Sequence, residues 1–233
     1  MNILKEALPG VHPGKALDVG TRFGEFAVRL AEAMPEGSEV IGIDNDASAA
    51  EKAREKFAEK GLLFQQMDAA AMDYPDETFE VVALSNTLHH IEDYGKVLSE
   101  MLRVLKPGGF LVLNEMYRDG QDAAQQVHEA QHTLEAKLDC LLGGYQRRTW
   151  KRKEIIEIFR GLPLRDMTFT DFHEEAVYDA KLEAKNRKLA EEVEKISGQP
   201  EYQTLKQEAL DIQARCRENG IRRCTQLLCV GRK

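Results

Sequence analysis

Three aspartates close three consecutive apolar runs: Asp18 in KALDVG (15–20), Asp44 in EVIGID (39–44) and Asp68 in LLFQQMD (62–68). Carboxylates so placed suit a ligand that carries an ammonium group, a ribose and an adenine. Asp18 would hold the ammonium, Asp44 both ribose hydroxyls, and Asp68 the adenine amino group. Gly20 and Gly24, in ALDVGTRFGEF, let the backbone turn tightly and approach such a ligand. A glycine loop alone is weak evidence, and the bland alternative is a turn with helix-capping aspartates. Three acidic run ends in successive units weigh against that alternative.

Two further constellations carry chemistry. HEAQHTLE, residues 128–135, puts His128, His132 and Glu135 on one face of a helix. Two imidazoles and a carboxylate there suit a zinc-like divalent ion, with Glu129 as the general base of an H-E-x-x-H metalloprotease; the plain alternative is a solvated or substrate-facing helix side. The stretch 147–153, RRTWKRK, gathers five cations around Trp150. It suits an anionic acceptor or RNA by charge and stacking, or a solvated helix start.

These residues need elements to position them. After the runs above come FEVVALSN (79–86) and FLVLNEM (110–116), and helical periodicity fills the gaps: EFAVRLAEAM, ASAAEKAREKFAEKG ending at Gly61, and DYGKVLSEMLRVLKPGG stopped by Pro107-Gly108-Gly109. Alternating β and α units with nearly continuous apolar strands predict a parallel sheet covered on both faces, an open doubly wound α/β fold with its ligand beyond the carboxyl ends of the strands. A helix follows at 121–142, then the apolar-periodic IIEIFRGL, and the strands PLRDMTFTDFHE and TQLLCVGRK. These make a mostly parallel seven-stranded sheet with an antiparallel edge. The charged segment 174–219, broken at Gly198-Gln199-Pro200, reads as a helical hairpin inserted between the last two strands, fit for a surface cover, a lid or a homodimer contact. The organisation expected is one domain, 1–233, with a cofactor-binding core at 13–117, a helical acceptor-side cover at 118–162 and the hairpin at 174–219.

The chain has 233 residues, 42% hydrophobic and 31% charged, with a formal net charge of -8. That composition is globular, and its acidity disfavours nucleic acid as a partner. No apolar run approaches the roughly 20 residues of a membrane span. No signal peptide is read at the N-terminus, and four cysteines without C-x-x-C pairs fit reduced thiols in the cytoplasm.

LDVGTRFGEF, IGIDND, QQMDAAAMDYPDETFEVVALSNTLHHIED and VLKPGGFLVLNEM together resemble the successive motifs of the class I S-adenosylmethionine-dependent methyltransferases. Within them they are similar to the ubiquinone/menaquinone C-methyltransferase-like group of small-molecule enzymes. The resemblance covers 13–117. It implies that Asp18, Gly20, Thr21 and Gly24 cradle the methionine part of S-adenosylmethionine and that Asp44 binds the ribose with Asn45 beside the adenine. Asp68 and Ala69 would meet the adenine edge, and Ser85 and Asn86 would line the cofactor at the fourth strand end. Arg22 stands where the family has a third glycine. The implied reaction moves a methyl group to oxygen, nitrogen or carbon of a small molecule, leaving S-adenosylhomocysteine. A base is needed only for a protonated acceptor, and His89, His90, Glu115 and Tyr117 are the candidates. An NAD site is disfavoured, because DVGTRFG is not G-x-G-x-x-G. SNTLHH stands where an N-P-P-Y signature would mark nucleobase or amide acceptors, which leans toward small molecules. Alternatives left open are an RNA acceptor, from the basic run, and a metal-assisted or non-catalytic protein, from Arg22 and HEAQHTLE.

Overall fold

A computed structural model of the chain describes residues 3–173 and 180–233. Its elements in chain order are α1 (Ile3–Ala7), β1 (Lys15–Val19), α2 (Glu25–Ala33), β2 (Glu39–Asp44), α3 (Ala47–Lys56), β3 (Leu63–Gln66), β4 (Phe79–Ser85), α4 (Tyr94–Val104), β5 (Leu105–Met116), α5 (Ala123–Leu141), α6 (Arg152–Arg160), β6 (Arg165–Phe172), α7 (Ala180–Arg187), α8 (Leu189–Val193), α9 (Tyr202–Asn219) and β7 (Gln226–Arg232). The strands form one sheet in the order β3-β2-β1-β4-β5-β7-β6. The first five are parallel, and β7 runs antiparallel to both β5 and β6. Strand order reverses between β1 and β4, which is where such sheets bind ligands.

Alternation along the inner strands feeds two cores. Leu17, Val19, Val82, Leu84, Leu111 and Leu113 point to one face, where Val97, Leu98 and Met101 of α4 and Ile155 and Phe159 of α6 cover them. Ala16, Val81, Ala83, Phe110 and Val112 point to the other, against Leu4 of α1 and Ala27 and Leu30 of α2. Because both faces are covered, these strands carry no polar period. β6, the sheet edge, alternates between exposed and half-buried.

A third core lies off the sheet. Val127, Leu134 and Leu138 of α5 pack with Leu182, Leu189, Val193, Leu205, Ala209, Ile212 and Cys216. The hairpin's apolar stripe is therefore covered by α5 within the chain. Within the span 118–162 expected as a cover, α5 packs in this helical cap and α6 packs on the sheet. Residues 174–179, the start expected for the hairpin, lie outside the described residues.

Boundaries moved where backbone geometry overrode periodicity. Strand β5 begins at Leu105 rather than 110. The register passes from Phe79↔Leu105 to Val81↔Phe110, so Pro107-Gly108-Gly109 forms a bulge inside the strand instead of a turn before it. Helix α3 stops at Lys56, and Gly61, at φ 68°, ends a separate short 3-10 turn. β3 ends at Gln66, two residues short of Asp68.

Candidate active site

The loop from β1 to α2 is built on three left-handed residues: Gly20 at φ 68°, Arg22 at φ 49° and Gly24 at φ 82°. Glycine reaches this region without cost, and arginine does so at roughly 1–2 kcal/mol. Arg22 thus adopts the conformation that the family's third glycine would supply. Its N–H donates to Asp44 Oδ2 at 2.8 Å, and Asp46 N–H donates to Oδ1 at 3.0 Å, so the loop is tied to the end of β2. Gly20 is obligatory on a second ground: a Cβ there would lie 2.3 Å from Thr87 Cγ2.

Asp18 is 1% exposed. The Thr21 hydroxyl donates to its Oδ2 at 2.7 Å, and Oδ1 has no hydrogen-bond partner. Burial pushes its pKa up to about 7, against the lowering effects of that hydroxyl and of the Ala27 backbone N–H at the start of α2. Thr21 N–H also donates to Ile43 O at 2.9 Å, and Gly42 leaves room for the Thr21 side chain. Thr21 is therefore a strut between β1 and β2 as well as a lining residue. Farther along the strand ends, Met67 N–H donates to Asp44 O at 2.8 Å, and Asp68 Oδ1 accepts from Ala70 N–H at 2.8 Å. Asn45 and Asp68 are exposed and Ala69 is half-buried. The strand ends thus offer open carboxylates at Asp44 and Asp68, a buried one with an idle oxygen at Asp18, and a backbone cradle that a Cβ would fill. This set fits an adenosine-bearing ligand with an ammonium group.

Asn86, at φ 48°, accepts from Met116 N–H at 2.9 Å through Oδ1 and donates to Gln226 Oε1 at 3.1 Å. Asn114 donates to the same Gln226 oxygen at 2.7 Å and to Ser85 Oγ at 2.8 Å. Ser85 and Asn86 therefore brace β4, β5 and β7. Neither Asn114 nor Gln226 was visible in the sequence as a site residue, because strand periodicity marks both simply as strand positions. Thr87 was missed too. Its hydroxyl lies 3.2 Å from Gly20 O and 2.9 Å from Ser85 O, linking the two strand ends.

Beyond it, His89 and Glu115 form a buried pair. His89 Nδ1 is 2.5 Å from Glu115 Oε1, and Leu88 N–H donates to Oε2 at 3.0 Å. Glu115 is 0% exposed, and its two oxygens are taken by His89 and the Leu88 N–H. Tyr117 is no base near neutral pH, since burial and the charge of Asp171 push it up to about 12. His89 Nε2 is buried without a partner.

The metal triad read from HEAQHTLE does not assemble. His128 Nδ1 accepts from Cys224 N–H at 3.1 Å. Glu135 is held by Lys185 at 2.6 Å and Gln131 at 3.0 Å. His132 instead turns toward the end of β4: its ring lies 4.8 Å from that of His89 and 6.2 Å from that of His90. Burial, with the neighbouring imidazoles, holds His132 neutral well below the usual histidine range. Glu129, the base of the protease alternative, is engaged by Arg148 at 3.0 Å. In the basic run Arg148, Lys151 and Lys153 are exposed, and several of the cations have partners within the chain. Arg147 stacks on Trp150 at 3.3 Å from the ring centroid, Arg152 grips Asp171 through two bonds of 2.8 Å, and Lys153 pairs with Glu157 at 3.4 Å.

Residues 17–113 match the methyltransferase-domain family. A demethylmenaquinone methyltransferase of Deinococcus radiodurans is 40% identical over 105 residues, 44% of this chain and 43% of that protein. The chain spans about half the length, or less, of the curated relatives it matches. Among solved structures, a putative methyltransferase of Bacillus halodurans aligns over 99% of this chain and 96% of its own at TM-score 0.65 and 21% identity. A Haemonchus contortus phosphoethanolamine N-methyltransferase, solved with phosphomonomethylethanolamine and S-adenosylhomocysteine, aligns over 99% and 51% at TM-score 0.60 and 18% identity. Those two likenesses are of fold. No described helix is long and apolar enough to cross a membrane. Together the strand order and these matches make residues 17–113 similar to methyltransferase domains in sequence and the chain similar to methyltransferases in fold.

Proposed function

We propose that the chain binds S-adenosylmethionine at the ends of β1, β2 and β3 and transfers its methyl group to a small-molecule acceptor. The observation that carries this reading is the left-handed Gly20–Arg22–Gly24 loop tied to Asp44, with the idle Oδ1 of Asp18 beside it. Asp18 would take the ammonium, Asp44 the ribose and Asp68 with Ala69 the adenine edge. When bound, the cofactor supplies a methyl group already activated on a sulfonium, so the protein contributes orientation and a dry site rather than activation. The acceptor would lie against His89 and His90, beyond β4. The curated relative named above, a demethylmenaquinone methyltransferase, supports an acceptor of the quinone class. Four free cysteines support a reducing, cytoplasmic setting.

Calorimetric titration with S-adenosylhomocysteine tests the reading. Saturable one-site binding, weakened at least tenfold by Asp44→Ala, is expected. Well-folded protein with no heat of binding, or an Asp44→Ala variant that binds like the parent, would overturn it.

A further inference from the structure

Three histidines converge where the sheet meets the helical cap. His89 and His90 come from the 3-10 turn after β4, and His132 comes from the middle of α5. One ring nitrogen from each falls within 4.8 Å of the others. Nitrogen ligands of a tetrahedral zinc lie about 3.3 Å apart, given Zn–N bonds near 2.0 Å. Small side-chain rotations close that gap.

The pattern of satisfied and idle atoms points the same way. Glu115 takes Nδ1 of His89, which fixes the tautomer and leaves Nε2 directed away from the carboxylate, buried and without a partner. A buried imidazole nitrogen with no partner costs stability unless something occupies it. Carboxylate–histidine pairs of this form orient metal-ligating imidazoles and raise their basicity. Glu115 is in turn held by Leu88 N–H at 3.0 Å, so the arrangement is braced at both oxygens. His132 has the Gln146 amide at 3.3–3.4 Å from its ring nitrogens, a long contact that leaves it available.

We propose that His89 Nε2, His90 and His132 form a divalent metal site of the zinc class, braced by Glu115. Three protein ligands leave a fourth position open, as in catalytic rather than structural zinc sites. Building on the methyltransferase reading, an acceptor lying against His89 and His90 would have access to that position. A hydroxyl oxygen of the acceptor bound there would lose its proton more readily, so an ionisable hydroxyl is the acceptor chemistry this site selects.

Full-length protein, stripped with chelator and titrated with Co²⁺, tests the site. One equivalent should bind per chain with the intense visible bands of tetrahedral nitrogen-ligated cobalt. His90→Ala, at an exposed position, should weaken binding at least tenfold without lowering Tm, and His132→Ala likewise. Glu115→Gln should weaken it about 10–100-fold. His173→Ala, outside the cluster, should leave it unchanged. Weak octahedral spectra, or full binding in both His90→Ala and His132→Ala, would overturn the proposal. S-adenosylhomocysteine titration of the same samples separates the two readings: its binding without metal binding defeats the metal site alone, and metal binding without it defeats the methyltransferase reading alone.

Discussion

Asp18 shows how burial makes one residue both a binding group and a liability. Unfolded, its carboxyl titrates near 3.8; folded, it titrates at about 7. The folded state therefore holds the proton more tightly. The resulting stabilisation is complete below pH 3.8 and is lost as pH rises through about 7. Above that pH the ligand-free protein carries a desolvated charge with one idle oxygen. Asp18→Asn removes the charge and keeps an acceptor for the Thr21 hydroxyl. Its ligand-free Tm at pH 8 should exceed that of the parent, by roughly 2–4 °C per kcal/mol relieved, and the two should converge below pH 5. The same variant should lose S-adenosylhomocysteine binding, because the cofactor's ammonium has lost its counter-charge. Thermal scans from pH 5 to 8 with and without ligand check both halves. A variant equally unstable at pH 8 would show that the carboxylate is solvated there.

At the scale of elements, the β1–α2 loop and the β4 end behave as one unit, because Gly20 and Thr87 are in contact. Gly20→Ala places a Cβ 2.3 Å from Thr87 Cγ2 at φ 68°. Strain and overlap together should cost about 2 kcal/mol or more. Thr87→Ala removes the two closest contacts but leaves its own Cβ at 3.0 Å and the φ strain, and it removes the hydroxyl's contacts to Gly20 O and Ser85 O. A denaturant double-mutant cycle should therefore show favourable coupling of roughly 1 kcal/mol with incomplete rescue; additive costs would mean that the loop shifts away instead. Much of this scale was legible in the sequence. Apolar runs ending in Asp18 and Asp44 place β1 and β2, since a strand buried on both faces must be apolar throughout. The bulge in β5 was not legible, because Pro107-Gly108-Gly109 signals a break without saying whether pairing resumes around it. Nor was the partner of His132. The spacing of HEAQHTLE is local and points along the helix to Glu135, whereas His89 and His90 reach His132 only through tertiary packing. Glu115 reads as a base by type, and its burial is set by β4 and β7 on either side of its strand.

Across the whole molecule, the helical cap and the sheet are distinct cores joined by few ties. The cap buries its own apolar residues on α5, and its surface pairs Lys137–Glu208 and Lys185–Glu135 are solvent-accessible and worth little. Such a unit should open locally at a lower free energy than β4 and β5, which sit in the middle of the sheet. The imidazole cluster crosses that boundary: His89 and His90 belong to the sheet, and His132 to the cap. A metal held by all three would therefore bind the closed cap and not the open one, and mass action would raise the cap's opening free energy by about 1.4 kcal/mol for each tenfold excess of metal over its dissociation constant. Native-state hydrogen exchange reads this directly. Zinc should slow exchange across residues 127–138 of α5 and leave β4 and β5 amides unchanged, and His90→Ala should reduce the effect in step with its loss of metal affinity. Protection spread evenly over sheet and cap would instead report global stabilisation, with the two cores opening as one. No protection at all would mean that the metal does not bind the closed cap in preference to the open one, so that His132 is not among its ligands.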